Sequence, residues 1–340
     1  MTLSHIPWPS IGGLHNLVAR CDAYETYHEE EGLPPYVRPR LTYRGKIKLH
    51  GNNAAVQVDG DEFLAQSRTD VLVPGSDLKQ FGVWVHANSD YFREVGRISG
   101  RHTILCGEWC GQGIQKGMAI QQTGRKVFCV FAIQYGNGDE PLIEVDPARI
   151  RGVLPPHPDI FVLPWAGPEI VIDYADRDQM TFGVEAVNKM VTDADGRDPW
   201  VFETFGVEGR GEGYVFYPVT AEALTGPVPM EPLMDMVFKA KGQAHKVKEQ
   251  KSPAQIDPEV VESIEDFVSM FVTEARLEQG VSESGGEVDM PLISGFLRWM
   301  ADDVQKESGP ELRAADLEWK QVSKAVTKTA RDWYITKARG

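Results

Sequence analysis

Apolar runs are short throughout the sequence, and none approaches the roughly 18 residues that a membrane-spanning helix needs. The opening MTLSHIPWPS also lacks the basic start and apolar middle of a secretory leader. A soluble, cytoplasmic protein with no membrane partner is the expectation. Cysteine is scarce as well: Cys21, Cys106, Cys110 and Cys129 are too few for a disulfide framework in a chain of 340 residues. The pair in CGEWC has no second pair and no suitably spaced histidines, which argues against a zinc site and for small buried residues. Positive charge is in deficit too, with 35 Lys and Arg against 50 Asp and Glu and a net charge of −15. That excludes a protein that coats nucleic acid nonspecifically, because phosphate binding relies on clustered cations, but it leaves room for a local groove.

What is present divides near residue 252. Before that point the chain is dense in short alternating or apolar runs broken by turn residues: AAVQV, a DG turn, EFLAQS, HTILCGEW, KVFCVFAI, DIFVLPW, GYVFYPV and MVFKAK. This reads as a sheet-rich α+β body over residues 1–252, with 42% hydrophobic residues supplying ample core. After KSPAQ the period changes. Asp257 is expected to cap a helix with Pro258 at its first position, and Val260, Ile264, Phe267, Val268, Phe271 and Ala275 continue it to Gly280. Two more helical patterns, LISGFLRWMADDVQKE and DLEWKQVSKAVTKTARDWY, complete an all-helical module over 253–340. Lysines gather in VFKAKGQAHKVKEQK and again in the last helical pattern, where Lys320, Lys324, Lys328 and Arg331 form a stripe that reads as a solvated face or an RNA-backbone contact.

The stretch LTYRGKIKLHGNN alternates from Leu41 to Leu49, so Lys48 is expected to end a strand on its polar face. A lysine amine is a useful nucleophile only when burial or nearby positive charge lowers its proton affinity, and a following glycine would let a phosphate approach the backbone. In FKAK the side chains of Lys239 and Lys241 project from one face of a strand, where they could neutralise a polyphosphate. The ordinary alternative is three exposed strand lysines.

KLHGNN resembles motif I of the covalent nucleotidyltransferases, the superfamily of polynucleotide ligases and mRNA capping enzymes. With histidine in third place, where DNA ligases and capping enzymes usually have aspartate, it is similar to the phage-type RNA ligase 2 family. The family's other motifs follow in order: SRT with Arg68, GEWCGQGIQKG with Glu108, VFAI with Phe131, GEGYV with Glu212, and FKAK. In the tail, FVTEARLEQG carries Arg276 and WMADDVQKE carries Asp303 at places like those of a functional arginine and aspartate. Three departures stand out. Ala132 follows Phe131 where the family usually has aspartate, Ser67 precedes Arg68 where a basic residue is common, and Arg197 is the nearest residue by spacing to a lysine expected upstream of GEGYV.

The resemblance implies an adenylyltransferase domain followed by a small helical one, with ATP as nucleotide and Mg²⁺, or alternatively Mn²⁺, as the metal. It implies a monomeric ATP-dependent RNA ligase that joins 3′-OH and 5′-phosphate ends at nicks in duplex RNA or RNA/DNA hybrids. Lys48 would attack the α-phosphorus, and Lys239 and Lys241 would hold phosphates. Glu212 would hold the metal, Glu108 the ribose, and Phe131 would stack on adenine. Arg68 would grip a phosphate or the RNA end through its forked donors. His50 is expected to contact the departing pyrophosphate or orient an acidic neighbour. Asn53 would stabilise the turn or touch the substrate. Arg276 and Asp303 would either recognise an RNA end or pair with each other. A DNA ligase or capping enzyme would carry an OB-fold after FKAK, which the helical tail speaks against. A noncatalytic RNA-end-binding protein on the same fold is the rival from another class.

Overall fold

The alternating segment becomes strand β1 (Arg40–Lys48), and its two faces meet different partners. The computed structural model describes residues 3–73, 78–138, 140–242, 268, 271–309, 312 and 318–338. The chain divides into two compact units, 1–242 and 243–340. The boundary expected at 252, the helix start expected at Asp257 and Pro258, and Lys246, Lys248 and Lys251 lie outside the described residues.

In the first unit α1 (Leu14–Glu30) precedes β1. Strands β2 (Asn52–Asp59) and β3 (Glu62–Ser67) form a hairpin on the Asp59-Gly60 turn, where Gly60 has a φ of 58° that its missing side chain permits. Then come α2 (Phe81–Ala87), α3 (Ser89–Ser99), β4 (Thr103–Gly111), β5 (Lys126–Tyr135), β6 (Leu142–Glu144), α4 (Pro147–Val153) and β7 (Ile160–Val162). They are followed by β8 (Ala166–Asp173), α5 (Arg177–Gly196), α6 (Pro199–Phe205), β9 (Gly213–Pro218), α7 (Ala221–Thr225), β10 (Val228–Pro229), α8 (Met230–Met234) and β11 (Phe238–Lys241). One antiparallel sheet has the order β11-β9-β1-β8. The other has the order β10-β6-β5-β4-β2-β3, with β7 parallel to β5.

Burial explains the layering. Tyr43 and Ile47 of β1, with Ile170 and Ile172 of β8, pack against Leu17 and Cys21 of α1 and Met180, Val187 and Met190 of α5. On the far side of the second sheet, Val56, Leu105, Phe128 and Val130 pack on Phe81, Val85, Phe92 and Val95. Between the sheets lie Tyr217 and Val215 of β9 facing Ala55, Ile104, Cys106 and Ala132. The second face of β1, with Lys46 and Lys48, therefore looks onto another sheet and not into open solvent. All four cysteines are buried and free. Among the described residues, no helix is long and apolar enough to cross a membrane.

The described part of the second unit contains α9 (Glu274–Glu283), α10 (Ile293–Glu307) and α11 (Trp319–Ala338), packed through Phe296, Met300, Val304, Val322, Val326 and Tyr334. The helix expected to run unbroken to Gly280 is corrected on two points. Thr273 is extended and its hydroxyl accepts the Arg276 N–H, so a new helix starts there. Gly280 does not end it: a Cβ at that position would sit 2.9 Å from the Phe296 ring, so the glycine serves close helix packing.

Candidate active site

Cross-strand register sets the site. Lys48 of β1 pairs with Gly213 of β9, and Gly213 pairs with Lys241 of β11; one step away, Lys46, Val215 and Lys239 make the next row. Directly paired residues share a face, so four lysines point into the space between the sheets. Gly213 has a φ of 144°, and a Cβ there would meet the Ala240 carbonyl oxygen at 2.1 Å, so only glycine fits between the two lysine-bearing strands.

Glu212, just before Gly213, is 3% exposed and receives Lys48 Nζ at 2.7 Å and Lys241 Nζ at 3.4 Å on Oε1. Its other oxygen, Oε2, lies 3.5 Å from His50 Nδ1, longer than a normal hydrogen bond. Burial alone would raise the carboxyl's pKa, but Lys48, Lys241 and His50 outweigh it and hold the group well below the usual carboxylate range. The loop that carries Glu212 is pinned by its backbone: Asp198 donates to Gly209 O at 2.8 Å, Ala119 to Arg210 O at 2.9 Å, Gly211 to Ala194 O at 2.8 Å and Gly242 to Glu212 O at 2.8 Å. The carboxylate is thus placed by the fold before any ligand arrives.

The turn after Lys48 is tied to β4. The Gly51 N–H donates to Glu108 Oε1 at 2.9 Å, and Gln121 donates to the His50 carbonyl at 2.8 Å. A Cβ on Gly51 would lie 2.6 Å from the Trp109 carbonyl oxygen and 2.9 Å from Glu108 Cγ. Gly51→Ala is expected to push the turn off β4 and cost about 1–3 kcal/mol of stability, read by chemical denaturation. Unchanged stability would mean that the turn tolerates the displacement.

Asn53 is not a turn residue, contrary to one of the two roles expected for it. It lies in β2 directly opposite Glu108, because the chain has already re-entered the sheet by Asn52. Phe131 is half-buried in β5, with Trp8 packed edge-on at 5.1 Å. The β4–β5 register shifts there, pairing Cys106 with Ala132 and Gly107 with Val130, so Phe131 is the extra residue of a β-bulge. Arg68, just past β3, is exposed and donates to Ser10 Oγ at 2.6 Å. In the second unit Arg276 and Asp303 form an ion pair at 3.0 Å, and Arg276 Nη1 donates to the Phe271 carbonyl at 2.9 Å. Arg197 ends α5, over the Phe202 ring and 3.5 Å from Glu208.

The RNA ligase family model matches residues 42–241, well over half of the chain. The chain belongs to the RNA ligase family. Among solved structures it is similar to mutant forms of the Naegleria gruberi RNA ligase. The form solved with ATP and Mn has 16% identity and a TM-score of 0.42, covering 70% of this chain and 57% of that one. The form solved with AMP and Mn has 16% identity and a TM-score of 0.41, covering 70% and 56%. The likeness thus spans little more than half the length of the Naegleria chains. No curated protein sequence matches. Within the RNA ligase family match lie Lys48, His50, Asn53, Arg68, Glu108, Phe131, Glu212, Lys239 and Lys241, while Arg276 and Asp303 fall outside it.

One residue in this RNA ligase core escaped the sequence reading. Lys46 is 1% exposed, donates to the Phe131 carbonyl at 2.7 Å and lies 4.8 Å from the Trp165 ring centroid. Burial pushes its ammonium pKa down to about 7, against the pull of Asp146 and Glu144. The signal was available, since period two puts Lys46 on the face of Lys48. What alternation does not reveal is that this face is covered.

Proposed function

We propose that this RNA ligase family member is an ATP-dependent enzyme joining 3′-OH and 5′-phosphate RNA ends through a lysyl-AMP on Lys48. Its substrates would be nicks in duplex RNA or RNA/DNA hybrids, sealed in RNA repair by a cytoplasmic monomer. Residues 1–252 would form the adenylyltransferase domain and 253–340 a helical domain. The observation that carries the reading is the convergence of Lys48, Lys241 and His50 on one buried carboxylate, Glu212, inside a family-matched core.

The 2.7 Å contact with the Glu212 carboxylate favours the ammonium form of Lys48, which has no lone pair to offer. In the reactive state Nζ gives up that proton to solvent and bonds to the α-phosphorus of ATP, while the bond from phosphorus to the bridging oxygen breaks and pyrophosphate leaves. The AMP then passes to an RNA 5′-phosphate, and a 3′-OH displaces it to close the strand. Each transfer builds negative charge on phosphoryl oxygens, which the Lys241 and Lys239 ammonium groups would stabilise. Phe131 would stack on adenine and Glu108, with Asn53 opposite, would receive ribose hydroxyls. Arg68 would meet a phosphate of the RNA end.

The residues present fit a hard divalent cation: Glu212 Oε2 is a buried anionic oxygen without a hydrogen bond. Among the described residues no group of three or more His, Cys, Asp or Glu could hold a metal alone. Glu212 would hold Mg²⁺ or Mn²⁺ together with nucleotide phosphates, and the ion would supply Lewis acidity. The intramolecular Arg276–Asp303 pair favours a structural role in the helical unit over RNA-end recognition.

Intact-mass spectrometry after incubation with ATP and Mg²⁺, beside GTP, tests the reading. Wild-type protein should gain one AMP, and nicked duplex RNA should discharge it as sealed strand forms. No adduct from protein shown to start free of AMP would refute the covalent mechanism and leave RNA-end binding without catalysis.

A further inference from the structure

Among the described residues, one face of helix α11 lies outside the core of its unit. Val322, Val326, Ala330 and Tyr334 are buried against α10 and the loop before it, and the Tyr334 hydroxyl accepts the Asp289 N–H at 3.0 Å, which fixes the helix in rotation. Turned away from that core are Lys320, Lys324, Lys328 and Arg331, all exposed. At 3.6 residues per turn these four fall within an arc of about 80°, and the three lysines follow one another at about 6 Å along the axis. Consecutive phosphates along one nucleic-acid strand are separated by a similar step.

The charge is local. From Trp319 to Ala338 the helix carries five basic residues and one acidic residue, Asp332, in a chain whose net charge is −15. Lys320 pairs with Glu318 at 2.9 Å and Lys337 with Glu278, whereas no ion pair holds Lys324, Lys328 or Arg331 among the described residues. Folding of the unit does not explain this concentration, because the core-facing residues already bury the helix. Like charges at i and i+4 on an isolated face repel and are mildly destabilising, so a polyanion that neutralises them is the natural complement.

We infer that this face of α11 docks the sugar-phosphate backbone of duplex RNA, which would make the helical unit a second grip on the substrate. The inference rests on the ligase reading for the identity of the polyanion. Such a contact reads no bases, so it would be independent of sequence and strongly dependent on salt.

The test uses the full chain and an intact RNA duplex, which cannot be ligated. Affinity is measured over a range of salt concentrations for wild type, for the triple variant Lys320→Gln, Lys324→Gln, Lys328→Gln, and for the triple lysine-to-arginine control. Each lost phosphate contact should flatten the slope of log K against log salt by about 0.7–0.9, so the glutamine variant should lose roughly two units or more. The arginine control should keep the wild-type slope, and AMP uptake from ATP should be unchanged in all three. An unchanged slope in the glutamine variant, or a wild type that takes AMP but does not bind the duplex, would overturn the assignment while leaving the ligase reading intact. Absence of AMP uptake in wild type would instead sink the ligase reading, and a flattened slope would still support docking of RNA on α11.

Discussion

Lys48→Ala protein incubated with ATP and Mg²⁺ will gain no AMP under conditions where wild type is fully converted. None of the neighbouring lysines can take over. Lys241 lies across Gly213 on the far strand, Lys239 is one row further, and Lys46 is tied to the Phe131 carbonyl. Loss of the amine also removes the shorter of the two lysine contacts on a buried carboxylate, which should cost about 1.5–3 kcal/mol of stability. Lys48→Arg separates chemistry from folding. Its guanidinium can still pair with Glu212 but never presents a neutral nitrogen, so it should match wild type in denaturation and still form no adduct. An adduct in either variant, mapped by peptide mass, would move the nucleophile elsewhere and overturn the mechanism.

The site was legible where a local rule governs it. Period two put Lys48 at the end of a strand, and FKAK showed Lys239 and Lys241 on a common face; the structure has both. The strands at AAVQV, EFLAQS, HTILCGEW and KVFCVFAI stand as β2 to β5. The partners of Glu212 were not legible, because Lys48 and Glu212 meet only through the β1–β9 register, which no local pattern encodes. The pairing of Arg276 with Asp303 across helices was one of the two alternatives their positions left open, and the structure forms it. Two long helices of the first unit were missed for different reasons. In α5 the buried Met180, Gly183, Val187, Met190 and Ala194 do repeat at helical spacing, but strand-like runs on either side drew the reading toward sheet. In α1 only Leu17 and Cys21 are buried, too thin an apolar stripe to stand out from an acidic, exposed second half.

Lys46 provides the sharpest test of the closed face of β1, through pH. Its folded pKa lies near 7, below the ordinary lysine value of 10.5, so between those values the unfolded chain binds a proton that the folded one lacks. Wild-type stability should therefore rise, through this residue, by roughly 1.4 kcal/mol per pH unit across that window, and not change through it below about pH 7, where both states are protonated. Lys46→Met removes the titrating group and keeps an unbranched chain in the space, at the cost of an unpaired Phe131 carbonyl. Measured by urea denaturation, the stability difference between wild type and variant should grow in favour of wild type by about 2 kcal/mol from pH 7.5 to pH 9. Buried cysteines and tyrosines titrate in the same range with the opposite sign, but they are common to both proteins and cancel in the difference. Because the lost hydrogen bond is to the bulge residue expected to stack on adenine, the variant should also need several-fold more ATP for half-maximal adduct formation. Parallel stability curves would mean that Lys46 keeps its proton, held by the Phe131 carbonyl, the Trp165 and Tyr217 rings and the carboxylates of Asp146 and Glu144. In that case the space between the sheets holds a fixed positive charge beside Phe131, and the ATP requirement, not the pH dependence, would report its removal.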